Sequence, residues 1–332
     1  MNIPMLARMN GRIWAALLSC VVTVILSMAV SVEDSRAEEV IQKRFPSPEA
    51  AVQALVAASR GDDLKTILAI LGPDSEDLIS SGDSVADNLN RDKFVAAYEQ
   101  KQSLEARTTD TMILHIGADD WTMPIPIVKQ GNSWGFDIAE GKQEILNRRI
   151  GRNELYVIDV IDAYVAAQHE YASKDCRGDG KVEFAQRFIS SPGSRDGLYW
   201  EASEGEEQSP LGPLIARAAQ EGYATEDNLS PFHGYYFRIL TEQGKHAAGG
   251  AYQYVDKGKM ILGFALVAYP AEYGNSGVMT FMVNQEGMIF EKDLGENTRS
   301  LAEAIVVYNP DESWKKVEDL EPATPGSCEE GR

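Results

Sequence analysis

Histidine, cysteine and positive charge are all scarce in this chain. Its 332 residues include four histidines, three cysteines and 31 Lys+Arg against 51 Asp+Glu, a formal charge of −20. Such a deficit of cations makes DNA, RNA and anionic lipid headgroups poor partners, because each would meet a repulsive field. The acidity is read as a solubility feature rather than as calcium storage. No P-loop, dinucleotide fingerprint, CxxC or HExxH pattern occurs, so the common phosphate-, redox- and zinc-binding signatures are missing. Ser276 lies in Gly274-Asn275-Ser276-Gly277, but Val278 stands where a G-x-S-x-G elbow needs glycine. No internal repeat is present. What remains is 44% hydrophobic and 25% charged, an ordinary balance for a folded protein rather than a disordered one.

The first forty residues differ in kind. Arg8 and Arg12 form a basic start, Ile13 to Val30 is an almost wholly apolar run, and Ser35-Arg36-Ala37 offers small residues where a signal peptidase reads. This predicts a signal peptide over residues 1–37 and a periplasmic or secreted product. An uncleaved membrane anchor is the alternative, since the run is at the short end of what spans a bilayer. A lipoprotein box at Cys20 fits poorly, because most of the apolar run follows it. After cleavage Cys176 and Cys328 remain, and an oxidising compartment would allow one disulfide between them. Two unpaired thiols are the alternative.

Patterning divides the mature chain into an α+β subdomain over 38–139, a second over 140–317, and a flexible tail over 318–332. Ser47, Pro48 and Glu49 predict a helix start. Gly61-Asp62-Asp63 ends that helix, and a second runs from Leu64 to Leu71 before Gly72-Pro73. A third is expected over Arg91–Lys101. Strands follow at Met112–Ile116, Trp121–Val128 and Ser133–Ile138, with Pro124 and Pro126 confining the second to an edge or breaking it. From Glu140 to Lys174 the chain predicts a long helix broken at Gly151. Its expected buried stripe holds Leu155, Ile158, Ile161 and Val165, widened by Val157, Val160 and Tyr164. Phe184–Ile189 and Leu214–Glu221 read as short helices. The last third alternates aliphatic and aromatic runs with Gly, Asn and Pro turns. It predicts strands at Tyr235–Thr241, Ala251–Val255, Ile261–Tyr269, Gly277–Val283 and Met288–Lys292, then a helix over Ser300–Val307. The expected fold class is therefore α+β: helices plus a small antiparallel sheet, then a long helix packed on a four- to five-stranded antiparallel sheet.

Candidate chemistry is thin. His233 precedes Gly234, Tyr235, Tyr236 and Arg238 at a strand start. Tyr236 and Arg238 share one face of that strand, and a bend at Gly234 would let His233 join them as a site for an anionic or sugar-like ligand. A loop histidine capping a strand end is the competing interpretation. His115 and His246 read as packing and turn residues. Asp159, Asp162 and His169 share a helical face, but two turns separate Asp162 from His169, which suits a solvated stripe better than a metal site. Asp175, Asp179 and Glu183 resemble a loose calcium turn, but Arg177 and Gln186 stand where an EF-hand loop needs acids.

The phrases FPSPEAAVQALVAASRGDDLKTILAILGP, SSPGSRDGLYWEASEGEEQSPLGPL, HGYYFRIL and GFALVAYPAEYGNSGVMTFMVNQEG resemble the bacterial family called domain of unknown function 2950. The resemblance spans roughly Phe45 to Val317 and implies an exported protein of uncharacterised activity, with no catalytic residues to carry over. Element order is also similar to NTF2-like domains at the start and to the globular part of pilins in the long helix and sheet. Together these features favour a non-enzymatic periplasmic or cell-envelope binding or scaffolding module, without cofactor or metal. Its partner would be an envelope protein or a small ligand, and it would meet the membrane only through an uncleaved N-terminus. The alternative is a periplasmic hydrolase with a site near His233.

Overall fold

Three of the first four helices start on a side chain that holds a free amide. Ser47 accepts the amide of Ala50 at 3.2 Å to open α1, Pro48–Arg60. Asp63 accepts that of Thr66 at 3.0 Å to open α2, Leu64–Leu71. A 3-10 turn at Pro73–Ser75 leads to α3, Glu76–Ile79, and Asp83 caps α4, Ser84–Gln100, through the amide of Ala86. Such caps satisfy the orphan donors of a first turn. The computed structural model describes residues 42–176, 180, 182–203, 205–223 and 230–317. The expected signal peptide, the anchor alternative, Cys20 and the tail expected over 318–332 lie outside them.

Five strands follow: β1 (Gln102–Thr108), β2 (Thr111–Ile116), β3 (Trp121–Thr122), β4 (Ile127–Gln130) and β5 (Ser133–Phe136). They form an antiparallel sheet of order β1-β2-β4-β5, with β3 on β2. Its core joins Ala51, Leu55, Ile70, Leu114, Ile127 and Phe136. Helix α5, Ile138–Ala172, comes next, and α6 spans Gly212–Gln220. The second sheet begins with β6, Tyr235–Leu240. Four short strands intervene: β7 (Glu242–Gln243), β8 (Tyr252–Gln253), β9 (Val255–Asp256) and β10 (Lys259–Met260). Then come β11 (Ala265–Pro270), β12 (Met279–Asn284), β13 (Phe290–Asp293), α7 (Thr298–Glu303) and β14 (Lys315–Lys316). The main sheet has the order β14-β13-β12-β11-β6, every pair antiparallel. Each residue of β11 is buried, so both faces of this strand are covered. The fold is α+β, as the patterning predicts.

Helix α5 belongs to both cores. Ile138 and Ile145 pack with the first cluster, while Val157, Ile161, Tyr164, Ala167 and Tyr171 lie in the second. Its buried positions after the midpoint recur at intervals of three and four, the spacing of one helical face.

Several expectations need correction. The helix does not break at Gly151. That residue is exposed with nothing near its missing Cβ, and burial on either side outweighs a glycine penalty of about 1 kcal/mol. The buried face is also rotated from the expected stripe: Leu155 is 51% exposed, while Asn153 and Gln168 are buried. Helix α4 starts two turns before Arg91, because Asp83 supplies the cap. The two prolines break the strand expected at Trp121–Val128 into β3 and β4. The segment at Phe184–Ile189 is not helical; its ends bridge Met260 and Tyr199 instead. Ile261–Phe264 lies outside β11, and Ala251–Val255 is divided between β8 and β9. Strand β1 went unforeseen because it is an exposed, polar edge strand with no apolar alternation to read.

Candidate functional site

A concavity of about 400 Å³ lies between α4, the middle of α5 and the first sheet. Ligand cavities commonly fall between ~300 and 1,000 Å³. Its walls are apolar and buried: Leu55 of α1, Ile67 and Leu71 of α2, Ile116 of β2, and Met123 and Ile125 from the β3–β4 connection. Its rim has a different composition. Arg91 and Lys93 reach it from α4, and Arg148, Arg149 and Arg152 from α5. Five cations and a single acid, Asp87, line a cavity in a chain of net charge −20, so the local potential opposes the global one. Trp121 borders the same space and is 41% exposed.

The five cations differ in how far the protein already uses them. Arg149 is buried and donates to the carbonyls of Asp77 and Leu78 at 2.7 Å each and to Asn275 Oδ1. Burial pushes its guanidinium below the usual arginine value, with the nearby Asp87 charge opposing. Arg91 pairs with Asp62 at 2.8 Å, and Arg148 with Glu144 at 2.7 Å one turn earlier. Lys93 and Arg152 are exposed, and among the described residues neither has a hydrogen-bond or ion-pair partner. Asp87 is buried and accepts the amide and hydroxyl of Ser81 at 2.9 and 2.7 Å, which leaves the unengaged rim charges positive.

The model of a family described as Protein of unknown function (DUF2950) matches residues 42–317. The chain belongs to that family. No curated protein and no solved structure matches it.

The structure brings together only two of the three ligand-site residues expected from the sequence of this DUF2950 protein. His233 sits in the left-handed region at φ 49°, stacked on Tyr156 of α5 with ring centroids 4.4 Å apart. Its Nε2 lies 3.2 Å from Glu221, outside hydrogen-bond alignment. Burial lowers the imidazole pKa, and the positive charges of Arg217, Lys93 and Arg152 act in the same direction, with Glu221 opposing. Tyr236 instead packs against Tyr269 and beneath the Arg299 guanidinium. Arg238 donates to the carbonyls of Ala302, Glu303 and Ile305, capping the end of α7. Tyr236 and Arg238 thus stay neighbours on one strand face, both beside Tyr269 and α7, whereas His233 packs on α5, so the expected three-residue cluster is only partly assembled. The positive φ at Gly234 (77°) turns the chain, but toward Asp83, whose carboxylate takes the Gly234 amide.

Cys176 is half-buried, and burial raises its thiol pKa; Cys328 lies outside the described residues, and the pairing with it. Ser276 is buried and exchanges hydrogen bonds with the backbone of Glu272 at 2.9 and 3.1 Å, which makes it a turn residue. His169 contacts the Gln285 carbonyl and the rings of Phe184 and Phe264. His115 lies between Glu105 and Asp120, and His246 is an exposed turn residue. Asp175 accepts the Gly180 amide at 2.6 Å and Lys259 pairs with Glu183 at 3.3 Å; Asp179 is outside the described residues. No group of three or more His, Cys, Asp or Glu gathers as a metal site among the described residues. Sequence reading missed the cavity rim. The available signal was Asn147-Arg148-Arg149-Ile150-Gly151-Arg152, three arginines within five positions of an acidic chain.

Proposed function

We propose that the protein is an exported, non-enzymatic binding module of the cell envelope whose ligand occupies the cavity between α4 and α5. The supporting observation is the cavity itself, apolar-walled, cation-rimmed and of ligand size. Export follows from the basic start, apolar run and small residues at 35–37. Cell fractionation with N-terminal sequencing tests the location: the expected product is periplasmic and begins after Ala37, and cytosolic protein with an intact N-terminus refutes export. A thermal-shift screen against small molecules tests binding. Hits should disappear in Ala97→Phe and Ile145→Phe, which place a ring into the cavity, and hits that persist in both place the ligand elsewhere.

A hydrolase centred on His233 is the second reading, favoured by the buried His233–Glu221 contact at 3.2 Å, a pairing able to hold a general base. An activity screen on wild type and His233→Ala decides it: turnover that vanishes in the variant supports the enzyme, and turnover that survives removes this site.

A further inference from the structure

We infer that the ligand of this cavity is an amphiphilic anion: a single hydrocarbon chain ending in a carboxylate or phosphate, with the chain against the apolar walls and the head at Lys93 and Arg152. The inference rests on the proposed binding role and adds the ligand's chemistry. Leu55, Ile67, Ile116 and Ile125, each at most 4% exposed, supply an apolar lining, with Ser59 and Asn90 the uncharged polar side chains beside it. A purely apolar ligand would leave the rim unexplained. Arg148 and Arg152 are four residues apart on α5, hence neighbours on one helical face, and Lys93 faces the same opening from α4. Arg148 shares its charge with Glu144, whereas Arg152 and Lys93 have no partner among the described residues. Unpaired cations lining one cavity raise its potential, and an anion bound there is favoured by that potential and by charge-assisted hydrogen bonds. The acidic remainder of the surface disfavours anionic membranes as a whole, which suits capture of one molecule rather than docking on a bilayer.

The test titrates the purified full chain with n-alkyl carboxylates of eight to sixteen carbons, monoalkyl phosphates, n-alcohols and alkyl-trimethylammonium ions of matched length, each below its micellar concentration. The readout is calorimetry together with the Trp121 signal, taken as wild type minus Trp121→Phe. Carboxylates or phosphates should bind, tightening roughly fourfold per methylene, and the matched alcohol should bind roughly tenfold weaker or worse. The two acid series identify the head group, and preference for either over the alcohol supports the inference. Lys93→Glu and Arg152→Glu, both at exposed positions, should abolish that preference while chain-length dependence persists. Added salt should weaken the acids and spare the alcohols. Alcohols binding as tightly as acids, or a preference unchanged in both charge variants, overturns the anionic head and leaves the binding role standing. If no amphiphile of any charge binds, and Ala97→Phe removes hits of another class, the inference alone falls; if no small molecule binds at all, the proposed role falls with it.

Discussion

The Asp83 carboxylate accepts the Gly234 amide at 2.8 Å, joining residues 151 positions apart. The same oxygen accepts the Tyr223 hydroxyl at 3.0 Å, and its partner oxygen caps α4. One buried carboxylate thus ties the helices of the first core to the strand that opens the second sheet. Its neighbourhood pushes the Tyr223 phenol far above its ordinary pKa, through burial first and the Asp83 charge second.

Replacing Asp83 should therefore cost more than a lost helix cap. Asp83→Ala removes the cap, worth about 1 kcal/mol, and leaves the Gly234 amide buried without an acceptor, a further ~1–3 kcal/mol. Asp83→Asn keeps a capping oxygen but turns an amide donor toward the Gly234 donor, so it should recover little of the clamp. Urea unfolding is expected to place Asp83→Ala roughly 2–4 kcal/mol below wild type and Asp83→Asn, which keeps the cap, roughly 1–3 kcal/mol below it. An asparagine variant as stable as wild type would show that the Gly234 contact contributes nothing.

The two glycines of α5 should respond to alanine with opposite signs. At Gly151 the added methyl meets open space, so the substitution should stabilise by about 0.5–1 kcal/mol through helix propensity. At Gly141 the same methyl would stand 2.5 Å from the Pro124 carbonyl oxygen and 2.6 Å from the Ile125 amide. That approach is too close for any side chain, and the helix would have to move off the first sheet. Gly141→Ala should lower the melting temperature while Gly151→Ala raises it, and paired thermal unfolding curves read both.

How the sequence relates to the fold is visible in those two positions. Periodicity and capping chemistry made the Ser47 cap and the strands of the last third legible, because those signals act over a few residues. Glycine content alone suggested a break at Gly151; whether a glycine breaks a helix depends on what packs on either side of it, which is tertiary information. Leu155 reads as core by composition and lies in solvent, since Asn153, Gln168 and Arg149 hold the buried face through hydrogen bonds that no hydrophobicity pattern encodes. The candidate site was harder still. Tyr236 and Arg238 share one strand face beside α7 while His233, three positions before Tyr236, packs on α5, and Lys93 and Arg152 are 59 positions apart yet border one cavity.

Gln168 offers a test of the second core. It is fully buried; its Oε1 accepts the Ala185 amide at 2.8 Å, and its Nε2 donates to the Ala185 carbonyl and the Tyr164 hydroxyl at 2.8 and 3.0 Å. Leucine is close in size but satisfies none of these groups. Gln168→Leu should destabilise by roughly 2–4 kcal/mol, since an unsatisfied buried polar group costs about 1–3 kcal/mol, and faster amide exchange at Ala185 should accompany the loss. Unchanged stability would mean that water replaces the side chain.

The pH dependence of stability should carry the mark of His233. Its ordinary pKa is 6.5, and burial lowers it in the fold, with Arg217, Lys93 and Arg152 adding to the effect and Glu221 opposing it. Tyr156 and Tyr223 face the same ring. Above pH 6.5 the imidazole is neutral in both folded and unfolded chains and contributes no slope. As pH falls through 6.5 the unfolded chain takes up a proton that the native state resists, so stability declines until the folded pKa is passed. Exposed carboxylates held below their ordinary values, such as Asp63 and Glu140, lose their contribution only at lower pH. His233→Asn suits the comparison, because asparagine tolerates the left-handed backbone at this position. Its absolute stability should fall with the lost stacking on Tyr156, but its slope between about pH 7.5 and 5.5 should be flatter than that of wild type. Equal slopes in denaturant titrations across that range would place the histidine in water in both states.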